Sequence, residues 1–246
     1  NIINFSGDNY NVRIKNGDFL VKVNAEDSMN YPKLPVVENE KSFTIDVKEF
    51  FPLVKIALNF ISNDDLRPAM TGLYLHNTGG KLRMAATDAH RMYWKDVTKT
   101  PETIKDCSAI IPARALRIAM EMFKDGAVEI SFTEHHVRFR NETKELVTRK
   151  IDARYPDYQV VIPQKLPISF NLMRKQLIAF LKISEFFTNK STGQMRMIVG
   201  STSIKAVGGD VDFSLEFEYN LPVYNAQPAF EPFEFAMNIK FLQQLV

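Results

Sequence analysis

Cysteine is almost absent from this sequence. Cys107 is the single example, so no internal disulfide can form, which fits a reducing compartment. Nothing around it argues for a lowered thiol pKa, and an inert thiol is expected. Net charge is also nearly absent: 31 Lys and Arg face 29 Asp and Glu. That balance neither points to nor excludes nucleic acid, because a basic face can be offset by an acidic one elsewhere. No apolar run of about 18 residues occurs, so no membrane span is expected. No phosphate-binding glycine loop occurs either, which leaves nucleotide hydrolysis unsupported. The opening Asn1-Ile2-Ile3-Asn4 has no initiator Met and no basic, apolar and cleavage-site pattern, so no signal peptide is read and a cytoplasmic location is expected. What is present is ordinary for a folded protein, with 45% hydrophobic and 24% charged residues. The 246 residues allow one large domain or two to three small ones.

The informative feature is internal repetition. Ser42-Phe43-Thr44-Ile45 is matched by Ser169-Phe170-Asn171-Leu172, and Val12-Arg13-Ile14-Lys15-Asn16 by Val137-Arg138-Phe139-Arg140-Asn141. Tyr31-Pro32 is matched by Tyr155-Pro156, and the stretch Ile111 to Met120 by Met237 to Val246. All four pairs keep one order and an offset of about 125 residues, a normal domain size. The expected organisation is the end of one repeat over 1–40, a complete repeat over 41–163 and an incomplete one over 164–246. The plainer alternative is two similar domains with short extensions.

The middle repeat reads as an α+β unit, two helices packed on antiparallel sheets. Val47, Phe50, Phe51, Val54, Leu58 and Ile61 form a helical apolar stripe ending near Ser62. Asp46 and Glu49 suit its start as a capping box, while Pro52 predicts a kink or a later beginning. Strands are expected around Thr71–His76 and Lys81–Ala86, joined by the turn residues Thr78-Gly79-Gly80, and then over Arg91–Val97. Pro112 suits the first turn of a second helix with Leu116, Ala119, Met120 and Phe123 buried, and Gly126 suits its stop. Strands near Ala127–Phe132, Val137–Arg140 and Glu145–Ile151 complete the unit.

Cations recur opposite the apolar stripes. Arg114, Arg117 and Lys124 fall on the second helix, Lys48 and Lys55 share a face of the first, and Arg174, Lys175 and Lys182 cluster on the next repeat's helix. Lys240 is grouped with them. One such face is ordinarily only solvated, but recurrence across repeats suits a phosphate-binding surface.

Leu66-Arg67-Pro68-Ala69-Met70-Thr71-Gly72-Leu73, then Ala86-Thr87-Asp88-Ala89-His90-Arg91-Met92, then Arg154-Tyr155-Pro156-Asp157-Tyr158 resemble, in order and separation, the middle domain of bacterial DNA sliding clamps, the beta subunit of DNA polymerase III. Phe235 to Leu245 resembles the second helix region of that family's third domain. The resemblance implies a non-catalytic processivity factor. It implies three similar domains per chain in a head-to-tail homodimer whose helices line a hole around double-stranded DNA. It also implies a cleft that takes peptides from DNA polymerase III subunits, the clamp loader and other proteins with clamp-binding motifs. Carried over, the cleft comprises Met70, Thr87, Ala89, His90, Arg91, Met92, Pro156, Val160 and Val161, with Asn238 and Phe241 from the third domain. Ala89 departs from the family's usual glycine. Most of the first domain and the end of the third are expected to lie outside this sequence. The competing reading is a clamp-like adaptor that binds partner peptides without encircling DNA.

Other sites read weakly. Asp88 and His90, two apart on an expected strand, permit an acid–base pair, but no nucleophile stands near. His135-His136 point to opposite faces of a strand and are poorly placed to chelate one ion. Asp64-Asp65 suits a loop. No catalytic residue, metal or cofactor is expected.

Overall fold

The computed structural model describes residues 3–8, 10–31, 35, 41–99, 101–210 and 215–245. Pro32 and Val246 of the sequence repeats lie outside them. The chain forms two compact units, residues 1–40 and 41–246. The first is an antiparallel meander of β1 (Asn4–Asp8), β2 (Asn11–Asn16) and β3 (Phe19–Asn24).

The second unit begins with β4 (Lys41–Asp46) and α1 (Val47–Ala57). Alternation in β4 buries Phe43 and Ile45, and the switch to helical period then buries Val47, Phe50, Phe51 and Val54. The Asp46 carboxylate accepts the Lys48 amide at 2.7 Å and caps the helix. Pro52 sits inside α1 without ending it. The α-helix stops at Ala57 and one 3-10 turn carries on to Phe60, short of the expected Ser62.

A hairpin follows, β5 (Gly72–Thr78) and β6 (Lys81–Thr87), with Thr78 paired to Lys81. Its two loop residues, Gly79 and Gly80, have φ of 56° and 72°, the left-handed pair that a tight hairpin of right-twisted strands requires. β7 (Met92–Lys99) and β8 (Ser108–Pro112) complete a sheet in the order β7-β6-β5-β8. Then comes α2 (Ala113–Met122). Pro112 ends β8 and precedes α2 instead of lying within its first turn. Phe123 is already extended, with φ −108° and ψ 93°. Gly126, at φ 74°, therefore lies past the helix end, where its carbonyl accepts the Val47 amide at 3.0 Å.

β9 (Ala127–Phe132), β10 (His136–Arg140) and β11 (Glu145–Arg149) pair with β4 in the order β11-β10-β9-β4. Leu73, Leu75, Leu82, Met84 and Ile111 join Phe50, Val54, Leu116 and Phe123 in one core beneath α1 and α2. The opposite face of the β5–β8 sheet is covered by the segment from Ile151 to Ile162, which brings Tyr155 and Tyr158 onto Ala85 and Ile110.

The pattern then recurs: β12 (Ser169–Asn171), α3 (Arg174–Phe187), β13 (Gln194–Val199), β14 (Ser203–Asp210), β15 (Leu215–Pro222), β16 (Tyr224–Gln227), β17 (Phe233–Asn238) and α4 (Ile239–Gln243). Its main sheet runs β15-β14-β13-β17, the same order as β7-β6-β5-β8. Asn238 caps α4 from the strand end, as Asp46 caps α1. A second core of Phe180, Leu181, Met195, Met197, Leu221 and Ile239 fills this part.

Candidate functional site

The chain reverses between β6 and β7 through Asp88-Ala89-His90-Arg91, a turn and not the expected strand. The Asp88 carboxylate accepts the backbone amides of His90 and Arg91, both at 3.0 Å, and the Arg91 Nε at 2.9 Å. The Thr87 hydroxyl donates to the Arg91 carbonyl at 2.8 Å and accepts the Ala89 amide. Partial burial alone would raise the Asp88 pKa. The hydrogen bonds from Arg91 and His90, with the guanidinium charge, outweigh it and hold the carboxyl below the ordinary value. With its oxygens engaged in this way, Asp88 does not pair with the His90 imidazole. Ala89 takes φ 73°, the left-handed region in which glycine is unstrained, which accounts physically for a glycine preference at this position.

Arg91 reaches from this turn into other elements. Its Nη2 donates to the Asn59 carbonyl at 2.8 Å, and its Nη1 to the Gln244 side chain. Its guanidinium lies 5.2 Å from the Phe60 ring centre and 4.7 Å from that of Phe241. The His90 ring stacks on Phe241 with centroids 6.2 Å apart. A hollow of about 520 Å³ opens here, lined by Leu58, Asp64, His90, Arg91, Arg117 and Gln244.

Nine of the eleven expected cleft residues fall into three groups. His90, Arg91 and Phe241 meet directly. Met70, Thr87 and Met92 share one sheet end: Thr87 pairs with Met92, the Met70 carbonyl accepts the Ser62 amide at 2.9 Å, and Met92 packs on the Tyr155–Tyr158 cluster. Pro156, Val160 and Val161 lie on the covering segment, where the two valines are 76% and 67% exposed, open enough to receive an apolar side chain. Asn238 is otherwise engaged. Its Oδ1 accepts the Lys240 amide and its Nδ2 donates to the Thr192 carbonyl, both at 2.9 Å, so its side chain serves the helix end.

Sequence reasoning missed the groups beneath that segment. The Tyr74 ring lies between His76, at 4.4 Å, and Tyr155, at 4.5 Å, both nearly parallel to it. Tyr158 meets His76 edge-on, with its hydroxyl 2.8 Å from Nε2. Burial, with the nearby Arg83 charge, lowers the His76 pKa from 6.5, against a backbone hydrogen bond at Asn77 that favours protonation. Alternation along β5 gives the only hint, placing Tyr74 and His76 on one face.

The nine expected cations, Lys48, Lys55, Arg114, Arg117, Lys124, Arg174, Lys175, Lys182 and Lys240, are all exposed. Lys124 is corrected in place: α2 ends at Met122, so Lys124 belongs to the following turn. Among the described residues no carboxylate pairs with Lys48, Lys55, Arg114, Arg117, Lys175 or Lys182. The sheets differ. Arg83 and Lys81 bind Asp96, Arg196 binds Glu234 and Lys205 binds Glu218. Among the described residues no three His, Cys, Asp or Glu side chains gather as a metal site, and no helix is long and apolar enough to cross a membrane. Burial pushes the Cys107 thiol pKa up.

The family model for the DNA polymerase III beta subunit, central domain, matches residues 44–157. The beta sliding clamp of Halalkalibacterium halodurans is 23% identical over 192 residues, covering 76% of this chain and 50% of that protein. That of Synechocystis sp. is 27% identical over 195 residues, covering 72% and 49%. The chain thus spans about half the length of these curated relatives. Among solved structures, the sliding clamp of Bartonella birtlesii bound to griselimycin superposes with a TM-score of 0.89 at 24% identity, over 99% of this chain and 66% of that one. The DNA polymerase III beta subunit of Pseudomonas aeruginosa gives 0.85 at 20% identity, over 99% and 66%. Residues 44–157 thus match the central domain of the DNA polymerase III beta subunit, and the chain is similar to the bacterial beta sliding clamps and shares their fold.

Proposed function

We propose that this chain works within a sliding clamp, a non-catalytic processivity factor that encircles duplex DNA without reading its sequence. In this reading the full-length protein is a cytoplasmic homodimer, and residues 1–40, 41–163 and 164–246 belong to its three successive domains. The observation that carries the proposal is the recurrence of exposed cations on α1, α2 and α3 while the sheet cations named above are held by carboxylates. Lys and Arg free of carboxylates can neutralise phosphates, and phosphate contacts hold a duplex without fixing position along it.

The tether is the surface around His90, Arg91, Met92, Val160, Val161 and Phe241. It combines apolar anchoring positions with a few oriented polar groups, the mix a peptide groove needs. Its partners are DNA polymerase III subunits, the clamp loader and other proteins with clamp-binding motifs. Griselimycin, bound by the Bartonella clamp, is taken as a ligand of the same surface.

The test has two arms on the full reading frame. Replacing Arg114, Arg117 and Lys124 with Ala reduces the salt dependence of DNA retention by up to about 0.9 log units per lost phosphate contact. An unchanged slope refutes the encircling role, and with the second arm intact leaves an adaptor. In that second arm, Met92→Asp weakens griselimycin at least about tenfold, or 1.4 kcal/mol. Undiminished affinity in both Met92→Asp and Phe241→Ala, with native melting curves, removes the cleft assignment.

A further inference from the structure

We infer that His76 is a positioning residue for the cleft: acting through Tyr158, it holds the turn that presents Val160 and Val161. The inference rests on the cleft reading above. Tyr158 opens the 3-10 turn Tyr158–Val161, which the Asp157 side chain caps. Within that turn Tyr158 is buried while the two valines face solvent. The phenol is therefore the anchor of the turn, and what its hydroxyl binds decides how the valines are held.

The proton inventory of that hydroxyl is constrained. His76 Nδ1 lies 3.2 Å from the Asn77 carbonyl, and a carbonyl only accepts. Neutral His76 therefore carries its proton on Nδ1, and Nε2 accepts the Tyr158 O–H at 2.8 Å. The Arg83 side chain interacts with the same Tyr158 hydroxyl. Each partner is fixed in turn. Arg83 donates to Asp96 at 2.6 Å and lies over the Trp94 ring at 4.3 Å, while His76 stacks on Tyr74. The chain of contacts runs from β7 through β6 and β5 to the covering segment.

Protonating His76 breaks this arrangement in one place. Nε2 becomes a donor and no longer accepts the Tyr158 O–H, and an imidazolium stands near the Arg83 guanidinium. All charged and titratable neighbours enter this balance. Arg83 faces His76 from β6, with Asp96 and Lys81 attached to it, and Tyr74 shares β5. Tyr155 and Tyr158 face it from the covering segment, and β8 brings only Ser108 opposite. A hollow of about 610 Å³ beside it is rimmed by the charged or titratable side chains Glu134, His135, Arg149, Lys150, Asp152, Arg154 and Asp157.

The experiment measures griselimycin affinity of the wild-type chain, His76→Gln and Tyr158→Phe near pH 7.5 and pH 5.5, with a melting curve at each pH. Tyr158→Phe keeps the ring and loses the hydroxyl. At the higher pH it binds about threefold to tenfold more weakly, the worth of one hydrogen bond. The wild type weakens on acidification, and His76→Gln, which does not titrate, weakens less over the same interval. All other titrating groups are common to the two proteins, so the difference between wild type and His76→Gln is the readout. A purely structural role for His76 leaves the two pH profiles parallel, and that result overturns the inference. Wild-type affinity in Tyr158→Phe overturns it too, and decides alone if His76→Gln does not fold. Should Met92→Asp and Phe241→Ala both bind normally, the cleft reading itself has failed and takes the inference with it. Loss of binding in those two with parallel profiles removes only the role of His76.

Discussion

The guanidinium of Arg91 sits 4.7 Å above the ring of Phe241, joining the turn before β7 to α4. The same side chain is bonded to Asp88 and to the Asn59 carbonyl. Replacing Arg91 with Ala therefore removes a charge-assisted hydrogen bond, a backbone tie and a cation–π contact together. A loss of about 2–4 kcal/mol in urea unfolding is expected. Arg91→Lys recovers only part of it, because an ammonium cannot serve those partners in one plane. Full recovery in the Lys variant would show that charge alone matters here.

Ala89 holds a left-handed backbone at φ 73°. Ala89→Gly relieves the Cβ strain, partly offset by the greater freedom of glycine in the unfolded chain. A net gain of about 0.5–1 kcal/mol is expected, seen as a rise in melting temperature. A fall instead would mean that the methyl group makes contacts worth more than the strain.

Gly72 makes the opposite case. A Cβ there would stand 2.7 Å from the Ile111 carbonyl oxygen and 2.8 Å from the Ile151 side chain. Backbone cannot withdraw cheaply from a sheet, so Gly72→Ala is expected to cost about 1–3 kcal/mol. Thermal unfolding of that single variant decides it, and an unchanged midpoint would count against so close an approach.

The His76 pKa in the folded state is below its ordinary 6.5. Between the folded and unfolded values the unfolded chain binds more protons, so stability rises with pH across that window. The contribution is complete above about pH 6.5 and is lost progressively as pH falls through that value toward the folded pKa. Urea midpoints taken from pH 7.5 downward should fall more steeply for wild type than for His76→Gln. Parallel curves would contradict the burial of this imidazole.

Periodicity and turn chemistry made much of the fold readable. Gly79-Gly80 announced the β5–β6 hairpin, and the apolar stripes of α1 and α2 announced the face each helix buries. Boundaries were less legible. Phe123 continues the apolar stripe of α2 but has left the helix, which carried Lys124 off it as well. Asp88 was misplaced on a strand because alternation was extended through a turn held by its own carboxylate. Asn238 has the residue type of a helix cap and serves as one. The stack of His76, Tyr74 and Tyr155 was invisible because segments far apart in sequence create it.

The pairing of β4 with β9, Lys41 opposite Phe132 and Asp46 opposite Ala127, has a kinetic consequence. During synthesis β4 leaves the ribosome long before its partner exists, and its unpaired edge must wait while α1, the β5–β8 sheet and α2 form between them. Closing so long a loop is slow, and the rate of folding is governed by such distant pairings more than by local helix formation. The stretch between β4 and β9 is therefore the part expected to organise first. Within residues 41–149 the sheet that holds β4 is the last to close, and a ribosome paused before β9 leaves a nascent chain with an open strand edge exposed to its neighbours.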